Sequence, residues 1–87
     1  MGVIEDLADG LARDTMEAMQ ELGDDRYFYD VAKVIGASSP TLQEAFLTSM
    51  RIRLAEARGR RFLEATLKAK REGGKAPEAP REDAAAH

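Results

Sequence analysis

The residues best suited to chemistry in this 87-residue chain are five arginines that lie between positions 51 and 61. Arginine carries a planar fork of N–H donors that fits phosphate and carboxylate alike. Arg53 and Arg60 are seven positions apart and share one helix face, while Arg51 and Arg58 share another. Two uses follow: contact with a nucleic-acid backbone, independent of base sequence, or ion pairs with acidic parts of the protein. The candidate contacts to double-stranded DNA are Arg51, Arg53, Arg58, Arg60, Arg61 and Lys68.

Charge is unevenly distributed along the chain, although the net charge is only -3. Residues 1–30 contain nine acidic and two basic side chains, a net charge of -7. Residues 50–71 contain eight basic and two acidic side chains, a net charge of +6. The overall acidity argues against a dedicated nucleic-acid-binding protein. The asymmetry also allows the arginines to pair with the acidic first helix, within one chain or between copies, so that both uses stay open.

The chain has few of the side chains that catalytic and metal sites need. Cysteine is absent and the only histidine is His87, the last residue, which disfavours thiolate chemistry and histidine-based sites. Ser38, Ser39 and Thr41 are better explained as helix caps than as nucleophiles. We therefore predict a protein without enzymatic activity, cofactor or metal. Because no apolar run approaches the ~18 residues of a membrane span and no signal peptide is visible, we expect a cytoplasmic protein with no membrane partner.

Three helices are expected to position these residues. Residues 3–22 begin with acidic side chains, which suit the positive end of a helix dipole, and Gly23 is a stop signal. Residues 26–35 are predicted to form a short second helix. Gly36 is expected to end it as a left-handed C-terminal cap. Helical spacing in the first helix predicts a buried stripe made of Ile4, Leu7, Leu11, Ala18 and Leu22, widened by Met16 and Met19.

The third helix is predicted to run from Pro40 to about Glu72. Ser38 or Ser39 would cap its N-terminus, and Pro40 would occupy the first helical position, where a missing N–H costs nothing. At ~1.5 Å per residue this helix would be roughly 50 Å long. Gly59 is its one weak point and is a candidate site for a bend.

The long helix has more apolar surface than its short partners can cover. A first helix of roughly 30 Å cannot span it, and its apolar residues point in several directions. We therefore predict a homo-oligomer in which copies of the chain bury this surface. The candidate interface residues are Leu7, Leu11, Leu42, Phe46, Met50, Leu54, Leu63 and Leu67.

The domain organisation follows from these elements. Residues 1–72 are predicted to form a helical oligomerisation domain. Residues 73–87 contain glycines, prolines and mixed charges, a composition that predicts a disordered tail. The predicted fold is all-α: a helical hairpin with a short middle helix and one long C-terminal helix, in an oligomer.

The corner between the second and third helices has the spacing of a bacterial helix-turn-helix motif. Ala32, Gly36 and Leu42 occupy the positions of the small, turn and aliphatic residues of that motif. The N-terminal residues of the third helix, which would enter the major groove, include no basic side chain. Gln43 is suited to contact adenine, but Glu44 would repel phosphate. We favour a structural corner over a reader of base sequence.

Residues 24–64, "DDRYFYDVAKVIGASSPTLQEAFLTSMRIRLAEARGRRFLE", resemble short helical proteins of phage-derived gene transfer agent clusters that are taken to be small terminase subunits. The resemblance implies a non-enzymatic protein that assembles into rings through helical hairpins, engages DNA and presents it to a large terminase. It further implies that the first and third helices form the hairpin. The arginines from Arg51 to Arg61 would then contact DNA, and the tail after Gly73 would tether the partner.

Three functions are consistent with the sequence. The first is a DNA-packaging adaptor of small-terminase type, which forms a homo-oligomer, binds double-stranded DNA weakly and without base preference, and recruits a large terminase subunit or another larger protein. The second is a small helix-turn-helix transcription regulator. The third is a helical adaptor that binds only protein, with its arginines paired to the acidic first helix.

Overall fold

The computed structural model describes residues 2–80 and contains three α-helices. They are α1 (Val3–Leu22), α2 (Tyr27–Ser38) and α3 (Pro40–Glu72). The predicted all-α fold, with a short middle helix and one long C-terminal helix, is confirmed. None of the helices between residues 2 and 80 is long and apolar enough to cross a membrane.

The chain divides into two compact units, and α3 contributes to both. The first unit ends at Leu54 and the second begins at Ala55. The sequence interpretation placed residues 1–72 in one domain and did not contain this boundary. Residues 74–80 have no regular secondary structure, and the rest of the predicted tail, residues 81–87, lies outside the described residues. Disorder of the tail stays a prediction.

The core of the first unit is built from all three helices. Its two largest fully buried side chains are Phe46 and Met50, both on α3. These two bulky side chains pack with a set of smaller or flexible ones from the other helices, which are Ala8, Ala12, Met19, Phe28 and Ala32. A core of this size is thin, as expected for a short chain that buries a modest fraction of its surface.

The buried stripe of α1 differs from the one predicted. It consists of Ala8, Ala12, Thr15 and Met19, at steps of four and three residues. Of the predicted stripe, Met19 is buried and Leu11 and Met16 pack against the core, while Ile4, Leu7 and Leu22 are exposed. The prediction was wrong for these last three because the size of the opposing side chains decides which face is buried. Alanines leave the volume that bulky residues of α3 fill.

Local hydrogen bonds explain where α1 ends and how it tolerates a buried hydroxyl. Gly23 has a φ of 68°, and its N–H donates to the Met19 carbonyl oxygen at 2.9 Å. This left-handed cap confirms the predicted stop, since glycine adopts positive φ without a steric penalty. The buried Thr15 hydroxyl donates to the Leu11 carbonyl oxygen at 2.7 Å, so its polar group is satisfied.

The corner between α2 and α3 is tighter than predicted. α2 continues to Ser38, and Gly36 lies inside the helix without a positive φ, so the predicted left-handed cap at Gly36 is wrong. A Cβ added to Gly36 would overlap the side-chain amide of Gln43. Gln43 Nε2 donates to the Ala32 carbonyl oxygen at 3.0 Å, which ties the start of α3 to α2. A side chain at position 36 would therefore displace the Gln43 amide from this hydrogen bond.

The start of α3 agrees with the prediction. Ser39 Oγ accepts a hydrogen bond from the Leu42 N–H at 3.1 Å, which makes Ser39 the N-terminal cap. Pro40 is the first helical residue. The helix then continues without interruption through Gly59, the position at which a bend was considered.

The second unit contains the last 18 residues of α3, from Ala55 to Glu72, and no buried residue among its described positions. Three of its large apolar side chains are exposed: Phe62, Leu63 and Leu67. A helix without a buried face depends on its intrinsic helix propensity and on i to i+4 pairs for stability.

Candidate nucleic-acid-binding surface

Arg53, one of the candidate DNA contacts, is engaged within the first unit. Its Nη2 donates to Asp9 Oδ1 at 2.6 Å, and the Ser49 hydroxyl donates to the same oxygen at 3.0 Å. The two hydrogen bonds hold the pKa of the Asp9 carboxyl below its usual range. Arg53 Nε is buried without a hydrogen-bond partner in the part of the chain that the structure describes. This contact links α1 to α3 and leaves Arg53 less able to reach phosphate.

Arg60 is engaged within the second unit. Its Nε and Nη2 donate to Glu56 Oε2 at 2.9 and 2.6 Å. The two residues are four positions apart on the same helix, and the carboxylate of Glu56 raises the pKa of Arg60. Both side chains are exposed, so solvent screens the pair and its contribution to stability is small. Arg60 therefore stays charged but is partly neutralised.

Three further candidate DNA contacts lie in the second unit and are not engaged in ion pairs within residues 2–80. Arg58, Arg61 and Lys68 are exposed and make no ion pair with any described residue. Their spacings of three and seven residues place them along one side of α3. We call these three residues the basic stripe. Residues 55–72 contain six basic and three acidic side chains, so this unit has a net charge of +3.

Arg51 belongs to the first unit. It is exposed and has no ion pair within residues 2–80. Unlike the basic stripe, it lies in an acidic setting, because residues 2–54 contain ten acidic and five basic side chains, a net charge of -5. The structure thus separates the six candidate DNA contacts into two that are paired, three that form the basic stripe and one on the acidic unit.

The arrangement is suited to charge recognition and offers no catalytic constellation. Exposed guanidinium and ammonium groups along one helix can contact successive phosphates without reading bases. Among residues 2–80, no group of three or more histidine, aspartate or glutamate side chains is placed to hold a metal ion.

The helix-turn-helix-like corner is occupied by its own hydrogen bonds. The Gln43 amide, the group best suited to contact adenine, donates to the Ala32 carbonyl oxygen instead. Thr41 and Glu44 are exposed on the same turn, and neither is basic. This use of Gln43 favours a structural corner, because the side chain best suited to contact adenine is committed to the fold.

The candidate interface residues fall into three groups. Phe46 and Met50 are fully buried in the core of the single chain, so they build the fold and present no surface to a second copy. Three others are half-buried against that core, namely Leu11, Leu42 and Leu54. The remaining three are more than two fifths exposed and stay available to a partner: Leu7 at 59%, Leu63 at 52% and Leu67 at 42%.

Two of the side-chain contacts described above could not be predicted from the sequence, whereas a third could. The pairing of Arg53 with Asp9 joins positions 44 residues apart, and no local pattern announces it. The contact between Gln43 and Ala32 is likewise set by the angle of the corner. The pairing of Arg60 with Glu56 is visible in the sequence, since opposite charges four residues apart pair on a helix.

Comparisons with known proteins assign neither a family nor a function to this chain. The resemblance of residues 24–64 to small terminase subunits therefore stays a prediction, and the function has to be inferred from the residues themselves. The chain matches no protein-family model, no curated protein and no solved structure.

Proposed function

We propose that this protein is a non-enzymatic DNA-packaging adaptor of small-terminase type. It assembles from several copies, binds double-stranded DNA weakly and without base preference, and recruits a large terminase subunit or another larger protein. The observation that carries the DNA-binding part is the basic stripe, since Arg58, Arg61 and Lys68 are exposed and unpaired among the described residues. Recruitment of the large subunit is supported by the resemblance of residues 24–64 alone.

Weak binding without base preference follows from the small number of free charges. When the logarithm of affinity is plotted against the logarithm of salt concentration, each phosphate contact makes the slope more negative by about 0.9. Three contacts per copy give a slope of about -3, which corresponds to modest affinity at physiological salt. Several copies on one duplex raise the overall affinity, because later contacts form within an already bound assembly. Assembly and DNA binding therefore support each other.

The structure offers a matched pair of variants to test this proposal. Arg58→Ala with Arg61→Ala removes two free charges of the basic stripe, whereas Arg13→Ala with Lys33→Ala removes two exposed charges of the acidic first unit that lie outside both the groove lining and the basic stripe. Binding of a duplex of arbitrary sequence is measured at several salt concentrations between about 50 and 200 mM. The first double variant should bind DNA at least about tenfold more weakly. The slope of its affinity against salt concentration, both as logarithms, should become less negative by about 2. The second should change less on both counts.

The result also separates the alternatives. Equal losses in both double variants would contradict the assignment to the basic stripe. No binding at the lowest salt concentration would favour the adaptor that binds only protein, a function that the pairing of Arg53 with Asp9 supports. A preferred palindromic sequence would favour the helix-turn-helix regulator, which the engaged amide of Gln43 makes the weakest of the three.

A further inference from the structure

We infer that copies of this chain associate through a heterologous contact, in which the second unit of one copy docks into a groove on the first unit of another. The inference rests on the proposed function for its role in an assembled adaptor, and it names the two surfaces through which that adaptor is built. Each surface is described below by its own residues.

The groove lies between α1 and α3 in the first unit and has a volume of about 580 Å³. Three carboxylates line it on the α1 side, those of Glu5, Asp6 and Asp9. Ala45 and Ile52 line it on the α3 side together with one guanidinium, that of Arg53. The Ile52 side chain is 64% exposed, so a large apolar group faces solvent beside these carboxylates. A groove with an apolar wall and an acidic rim fits an amphipathic helix that carries basic residues.

The second unit provides such a helix face. Arg60, Leu63, Leu67 and Lys70 follow one another at steps of three, four and three residues, which places them on one side of α3. We call these four residues the docking face. Leu63 is 52% and Leu67 is 42% exposed, and no described residue of the chain buries either of them. Two apolar anchors four residues apart, flanked by cations, are the pattern by which a helix enters a groove.

Charge complementarity identifies a second copy as the occupant. The first unit has a net charge of -5 and the described helical part of the second unit has +3. Glu5 Oε1 accepts a hydrogen bond from the Gly2 N–H at 3.1 Å. Asp6 and Lys70 form no ion pair with the described residues, so the carboxylate of one copy is available to the ammonium group of another. A symmetric contact between two docking faces would bring like charges together, which is unfavourable. The complementary pairing buries apolar surface on both sides and brings opposite charges together.

This contact uses a part of α3 different from the DNA-binding one. Arg58 and Arg61 of the basic stripe lie at spacings that put them on other sides of the helix than Leu63 and Leu67. A copy docked through Leu63 and Leu67 therefore keeps its basic stripe accessible. Because each copy carries one groove and one docking face, the contact repeats from copy to copy and produces a closed ring or an open filament.

Complementation between two variants tests the inference. Ile52→Glu puts a carboxylate into the groove, and Leu63→Glu with Leu67→Glu does the same on the docking face. Each variant alone should be a monomer, while a 1:1 mixture should form a dimer and nothing larger, because one groove and one docking face remain intact. Molar mass is measured by sedimentation or light scattering at low salt, without DNA. Val34→Glu, at a residue 74% exposed on α2, is the matched control and should assemble like the unmodified chain.

Each other outcome overturns the inference. A monomeric unmodified chain at high concentration would show that copies do not occupy the groove, and an assembled variant would show that its surface is not used. A mixture that stays monomeric would contradict a heterologous contact. Far-UV circular dichroism confirms that each variant stays helical. Dimers in the mixture together with no DNA binding would contradict the proposed function while leaving this inference standing.

Discussion

The two units of this chain use one helix in opposite ways. In the first unit, α3 contributes Phe46 and Met50, which no solvent reaches, and two other helices pack against them. In the second unit, α3 continues for 18 residues with no buried side chain among them. The first unit is acidic and the second is basic. Packing against neighbours therefore defines the fold of the first unit, while the second unit presents side chains to partners.

The largest expected difference between the units is the response to loss of a phenylalanine ring. Phe46→Ala should lower the free energy of unfolding by about 3–5 kcal/mol, because it removes a fully buried ring and leaves a cavity. Phe62→Ala, at a residue 38% exposed in the second unit, should lower it by less than about 1 kcal/mol. Urea unfolding followed by circular dichroism at low protein concentration measures both. Equal losses would mean that Phe62 is buried in solution, for example by a second copy.

Much of this contrast was visible in the sequence. The three helices were predicted from periodicity and caps, and α1, the cap at Gly23 and the start of α3 at Pro40 agree with the structure. The excess of apolar surface on the third helix was also predicted, and the exposed Leu63 and Leu67 are part of it. Local patterns carry this information, because caps and spacing act over a few residues.

The rest depended on contacts between distant positions. Periodicity indicated an apolar stripe on α1, but the choice between the face of Leu7 and the face of Ala12 is made by the size of the opposing side chains. Gly36 was read as a cap from its residue type, although its role is to make room for Gln43, seven residues later. The candidate site was predicted as a cluster of arginines, and the structure was needed to distinguish paired from free members.

A second contrast comes from one substitution at two glycines. Gly23→Ala should destabilise the protein by about 1 kcal/mol, because position 23 has a φ of 68° and an alanine there is strained. Gly59→Ala should stabilise α3 by about 1 kcal/mol, because position 59 lies inside the helix and an added Cβ meets nothing. Thermal unfolding and helix content measure the two effects. A loss of helix content with Gly59→Ala would show that α3 bends there in solution.

The corner between α2 and α3 tests whether Gln43 serves the fold. Gln43→Ala should lower the free energy of unfolding by about 1 kcal/mol, because the hydrogen bond to the Ala32 carbonyl is lost. Gly36→Ala alone should change it by less, because the new methyl group displaces the same amide while replacing a glycine inside a helix gains about 1 kcal/mol. The two effects should not add in the double variant, because both act through one contact. Gln20→Ala, at an exposed position of α1, is the control. Additive effects would contradict the proposed link.

The smallest effect concerns the ion pair between Asp9 and Arg53, which joins the acidic helix to α3. Arg53 and Ser49 lower the pKa of Asp9, so the folded state holds the ionised carboxylate more strongly than the unfolded state does. The stabilisation is therefore complete above the unfolded pKa of about 3.9 and is lost as the pH falls through the lower folded pKa.

Asp9→Asn removes this linkage and leaves the side chain able to accept a hydrogen bond. The variant should unfold at a lower urea concentration than the unmodified chain at neutral pH, and this gap should narrow progressively as the pH falls below about 3.9. Asp14→Asn, at an exposed position of the same helix, is the matched control. A gap that does not change as the pH falls would mean that the contact with Arg53 does not persist in solution. Arg53 would then be free to join the DNA-binding residues.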